Sequence, residues 1–131
     1  MTVLSAQSLM RLGRCLLALL FLTGAVQKAV SPVEVQEILA RAGLPTVLVW
    51  PALAYNAIAG IALIAGWRLY PIALSLALYC LITSAFHFQP DDSWQISIMI
   101  KNWAIAGGCL VLAAASQQSL DHYPPEEMLK T

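Results

Sequence analysis

Charge is what this sequence has least of. Only 11% of its 131 residues are Asp, Glu, Lys or Arg, and 60% are hydrophobic, where a soluble domain carries about 25% charged residues. Blocks of Leu, Ala and Ile fill the gap, so lipid is the expected solvent for most of the chain. Net charge is zero and there is no basic stripe, which argues against nucleic acid as a partner. Cysteine is scarce too. Cys15, Cys80 and Cys109 lie far apart, with no CxxC and no Cys/His cluster. That pattern argues against a metal site, a disulfide scaffold and a thioredoxin-type redox centre, and leaves three small apolar residues in helices. A haem-ligand pair and a flavin motif are missing as well, so the chain alone offers no path for electrons, and no internal repeat is visible, which weighs against a transporter.

What is present is a repeating alternation of apolar run and polar joint. A polar N-terminus spans 1–13, apolar runs follow at 14–30, 45–66, 69–88 and 94–115, and a polar tail, expected to be soluble, closes the chain at 116–131. Arg11 and Arg14 ahead of Cys15–Leu22 imitate a signal peptide, but no small-x-small cleavage site follows and three further spans do. Between the first two runs, Ser31-Pro32-Val33-Glu34 reads as a helix start, with Ser31 as N-cap, Pro32 at N1 and Glu34 closing a capping box. Val35, Ile38, Leu39 and Ala42 share one face, Glu37 and Arg41 pair on the other, and Gly43 with Pro45 ends the piece. A helix over 32–42 is too short to span and is expected to lie in the membrane interface. The fold class is therefore an all-α membrane protein, a four-helix transmembrane bundle with a short interfacial helix between helices one and two.

The last run carries Lys101 and Asn102 about two turns from its start. A lysine at that depth costs roughly 2.5–3.5 kcal/mol on the mildest scale, so a partner, a cavity or a ligand is expected beside it. Four spans fix parity, which puts the ends of helices one and three and the starts of helices two and four on one side. Gln27, Lys28, His87, Gln95, Lys101 and Asn102 all fall near that side, with Asn56 somewhat deeper. The opposite half is nearly pure Leu, Ala, Ile and Gly. These residues are the candidate ligand-binding pocket, roofed by the 32–42 helix, with the Asp91-Asp92 turn over its mouth and Pro51 bending helix two beside it. Each has a plainer alternative. Lys28 can snorkel to the headgroups, Asn56 can join helices by a hydrogen bond, His87 can bond at headgroup level, and Lys101 with Asn102 can lock helix four to its neighbours. Arg11, Arg14, Arg68 and Lys130 on the other side favour cytoplasmic termini by a small margin.

Several stretches carry a resemblance. They are Phe21-Leu22-Thr23-Gly24-Ala25-Val26-Gln27-Lys28, Gly60-Ile61-Ala62-Leu63-Ile64-Ala65-Gly66, Phe86-His87-Phe88, Gln95, and Lys101-Asn102-Trp103-Ala104-Ile105-Ala106-Gly107-Gly108. Over roughly residues 10–115 the chain resembles the DoxX family of small four-helix bacterial membrane proteins, relatives of YphA-type inner-membrane proteins. The resemblance implies a multi-pass protein of the bacterial inner (plasma) membrane, associated with membrane oxidoreductase subunits and with a quinone as a candidate cofactor. Family members often carry a glutamate four residues before the glycine aligned with Gly60, and here that position is Asn56. With Lys28 and Lys101 the pocket is then net positive unless Glu34, Asp91 or Asp92 folds in, which suits a quinone or a lipid headgroup. Three functions follow: an accessory, quinone- or lipid-binding subunit that is not an enzyme on its own, a module that holds a lipid or partner protein during assembly, and, more weakly, a small-molecule transporter. Oligomeric state is left open, a homo-oligomer included.

Overall fold

A computed structural model describes residues 3–122. Its order is α1 (Ala6–Val30), α2 (Pro32–Arg41), a 3-10 turn (Thr46–Leu48), α3 (Val49–Ala65), α4 (Leu69–Ser84), a second 3-10 turn (Ala85–His87) and α5 (Ser93–His122). The described residues contain no strand, and four helical stretches among them are long and apolar enough to cross a membrane. Large apolar side chains such as Leu19, Val26, Ile58, Ile61, Leu78 and Val111 point outward along these helices. Exposed Trp50 and Trp94 ring one end and Trp67 and Tyr70 the other, as interfacial aromatics do in a spanning protein.

The bundle is built from two antiparallel pairs. α1 packs along α3 and α4 along α5, while α1 and α5 touch along only a short stretch. Small side chains let the pairs close: Ala18, Ala59, Ala73, Ala77, Ala106 and Ala113 are buried with Phe21, Leu63, Leu76, Cys80, Cys109 and Leu112 in one cluster. Close approach of backbones through small residues replaces the hydrophobic effect, which lipid removes as a driving force between helices. Gly60 lies at a close approach in the α1–α3 seam, where a Cβ would stand 2.8 Å from Leu22.

Helix ends follow local chemistry. Ser5 caps α1 by accepting from the Ser8 amide at 3.1 Å, so the helix starts eight residues before the apolar run and takes in Arg11 and Arg14. Hydropathy could not place that start, because the first two turns are held by capping and propensity rather than by an apolar face. Likewise α5 continues seven residues past Ala115 to His122, with Gln117, Asp121 and His122 bonded within one turn of themselves. Residues 123–131 of the expected soluble tail lie outside the described residues.

At α2, Pro32 and Gly43 take their expected places, Gly43 with φ of 71°. Ser31 does not: its side chain makes no cap bond, and its backbone N–H instead closes α1 on Gln27. The Glu37–Arg41 pair forms at 3.9 Å with both side chains well exposed, where it adds little stability. Pro51 falls in the first turn of α3, a position with few intrahelical partners for an N–H to lose, so a bend is not required there. Asp92, expected over the pocket, caps α5: its carboxylate accepts from the amides of Trp94 at 2.9 Å and Gln95 at 3.3 Å. Replacing it (Asp92→Ala) is expected to cost about 1 kcal/mol, read as a lowered unfolding midpoint in detergent, with Asp92→Ser recovering most of it.

Candidate ligand site

The polar end of the bundle gathers the C-terminal turns of α1 and α4 and the first turns of α3 and α5. Lys28 leaves α1 there and folds back along its own helix. Its ammonium donates to the Gly24 carbonyl at 3.2 Å in a part-buried position. A lysine at a helix C-terminus that snorkelled would extend the other way, towards the headgroups. Gly24 makes room for this: a Cβ there would stand 3.1 Å from the Asn56 amide nitrogen and 3.7 Å from the Lys28 ammonium. Lys28 and Asn56 therefore flank one bare stretch of backbone.

Asn56 is 3% exposed, and its side-chain carbonyl is buried without a hydrogen-bond partner. The Tyr79 hydroxyl lies beside its amide. Tyr79 stacks at a tilt on Tyr55, ring centroids 5.2 Å apart, and Tyr55 shares a hydrogen bond with Ser75 at 2.8 Å. Neither tyrosine was singled out by sequence reasoning. Tyr79 falls on the buried stripe of Leu76 and Cys80, but only the tertiary fold brings it to Asn56.

His87 Nδ1 and the Gln95 side-chain oxygen meet at 2.7 Å across the α4–α5 turn. Asn102 is part-buried on the same face of α5 as buried Ala106, Cys109 and Ala113. Trp103 ties α5 to α4 by donating to the Ser84 hydroxyl at 3.0 Å. Above this end, α2 leaves a cavity of about 250 Å³ between Ile38, Arg41 and Ala42 on its side and Ala85, Phe86 and Gln89 on the other.

Two of the seven expected residues do not join. Gln27 is exposed. Lys101 is exposed too, on the outer surface of α5, with its ammonium 5.3 Å from the centre of the Trp94 ring two turns back. The direction has a simple cause: helical side chains lean towards the N-terminus, which for Lys101 is the near membrane surface. Snorkelling plus a cation–π contact offsets much of the cost of its depth. The lysine that enters the bundle is Lys28.

The set can accept and donate hydrogen bonds and supplies positive charge, but it holds no nucleophile beside a base. Among the described residues no group of His, Cys, Asp or Glu is arranged to hold a metal. Cys80 and Cys109 share the buried core as free thiols. The opposite end is less bare than expected, since Arg14 donates to the Ile64 carbonyl at 3.3 Å. There it sits against the αL glycine Gly66 (φ 75°) that ends α3, a helix C-terminus that favours a cation.

Four apolar spans, aromatic rings at both ends and a polar set between helices define a small multi-pass membrane protein. The chain belongs to the DoxX family, whose model matches residues 9–89. That match runs from α1 through the second 3-10 turn, so α5, with the Lys101–Gly108 stretch, lies beyond it. Neither a curated protein nor a solved structure matches the chain.

Proposed function

We propose that the protein holds the polar headgroup of a lipophilic molecule at its α2-covered end, as a quinone- or lipid-binding accessory subunit of a membrane oxidoreductase system and not as an enzyme by itself. The observation that carries this reading is the pairing of Lys28 and Asn56 across Gly24. An ammonium with unused donors lies part-buried over Gly24, the Asn56 amide nitrogen stands on the same stretch, and the Asn56 amide oxygen is buried with no donor. A carbonyl or anionic oxygen satisfies the ammonium, and a hydroxyl or N–H group satisfies the amide oxygen. The DoxX family membership supports the membrane setting, and the absence of an acid at position 56 supports a neutral or anionic ligand over a cation. The bacterial inner membrane, with both termini cytoplasmic, completes the proposal.

Tryptophans 50, 94 and 103 lie near this end and provide the readout. Titration of detergent-solubilised protein with a short-chain ubiquinone should quench their emission to saturation. Lys28→Met should weaken that binding about tenfold, the loss of one charge-assisted hydrogen bond. Saturable quenching unchanged in Lys28→Met contradicts the proposal. Quenching absent with quinone but present with brominated phospholipid makes the headgroup that of a lipid.

A further inference from the structure

The thin contact between α1 and α5 borders a groove of about 410 Å³. It lies towards the start of α1, at the end away from Lys28. Leu9, Met10, Leu17, Val111 and Leu112 form its walls. Two glycines keep it open: a Cβ on Gly13 would meet nothing within 4 Å, and one on Gly108 would reach only Leu17 at 3.7 Å. Arg14 lines the same groove. Its guanidinium makes one hydrogen bond, the 3.3 Å contact to Ile64, and its Nε is buried with no partner. The salt bridge found among the described residues is Arg41–Glu37, so no described acid neutralises Arg14.

A guanidinium has five donors in a planar fork that matches phosphate. Part-buried, it has the C-terminal end of α3 as its compensation and no carboxylate among the described residues, so an anion would complete its unused donors. Charge complementarity therefore asks for an anion. The apolar walls, open sideways to the membrane, ask for one that carries acyl chains. Basic pockets between spanning helices take anionic headgroups for the same reasons.

We infer that this groove binds one anionic phospholipid, its phosphate on Arg14 and an acyl chain between α1 and α5, so that lipid completes the seam the side chains leave thin. The site is separate from the Lys28–Asn56 end and does not rest on its ligand.

The test uses the full chain in neutral detergent, with phosphatidylglycerol or phosphatidylcholine added, read by native mass spectrometry and by thermal unfolding. Wild type should retain one phosphatidylglycerol in preference to phosphatidylcholine, and its Tm should rise with the former alone. Arg14→Gln should lower that retention about tenfold. Gly108→Leu fills the groove, keeps Arg14 and adds a good helix former, so it should fold and lose the lipid as well; if Arg14→Gln fails to fold, this variant decides. Equal retention of both lipids, or retention of phosphatidylglycerol unchanged in Gly108→Leu, overturns the inference. A lipid-independent dimer lost in Gly108→Leu also overturns it, because a second copy then fills the groove. So does a Tm insensitive to lipid but lowered in Glu126→Gln/Glu127→Gln, because the chain's own acids then neutralise Arg14.

Discussion

Gly60→Leu should be the most damaging single substitution in the bundle, lowering stability by about 3 kcal/mol or more, the upper range for overpacking. A first carbon at this position would already lie 2.8 Å from two Leu22 atoms and 3.4 Å from the Ala18 carbonyl oxygen. Leu22 can rotate away, but the Ala18 backbone cannot, and leucine adds three more carbons. Separating α1 from α3 would also spoil the Lys28–Gly24–Asn56 arrangement one turn further along. Thiol labelling reads this directly. Cys80 and Cys109 are buried in wild type and should become reactive in Gly60→Leu at temperatures where wild type is protected. Gly60→Ala should show a smaller effect in the same direction. Wild-type protection in Gly60→Leu would mean that α1 and α3 are not held at this distance.

Asn56→Leu is expected to move stability and binding in opposite directions. Leucine keeps asparagine's branched outline, with bulkier methyl groups, and has no polar atoms. Removing a buried carbonyl oxygen with no partner should raise the stability of the ligand-free protein by about 1–3 kcal/mol. Affinity for the headgroup should fall at least about tenfold, because one directed contact disappears. An asparagine that only joined helices would behave differently: its loss would lower stability and leave any ligand bound. Thermal unfolding with and without short-chain ubiquinone separates the two cases in one experiment.

Much of the fold was readable in the residues. Four long apolar runs can hardly be anything but spans, and Pro32, Gly43 and Pro45 mark off α2 through backbone constraints that need no tertiary information. Parity alone put Gln27, Lys28, Asn56, His87, Gln95, Lys101 and Asn102 towards one end, without saying which of them face the bundle. The facing of α5 was not readable, for a physical reason. That helix is apolar nearly all round, so its pattern names no inner side. Gly107 and Gly108 are exposed, and the buried stripe is Ala106, Cys109, Leu112 and Ala113. Successive residues on a helix point about 100° apart, so Asn102 turns inward while Lys101 turns out. Depth could be counted along the chain, but direction had to come from the neighbouring helix α4. Arg14 was missed for a related reason: its partner, the end of α3, is fifty residues away.

The contrast between the two lysines is the sharpest handle on function. Lys28 bonds into the bundle beside Asn56, and Lys101 rests outside on Trp94. The most direct measurement is native mass spectrometry of protein extracted gently from its own membrane, with wild type, Lys28→Met and Lys101→Met compared side by side. The account predicts a small lipophilic adduct on wild type and on Lys101→Met, and its loss from Lys28→Met. An adduct lost from Lys101→Met and kept by Lys28→Met would contradict it, and would place the headgroup on the outer face of α5.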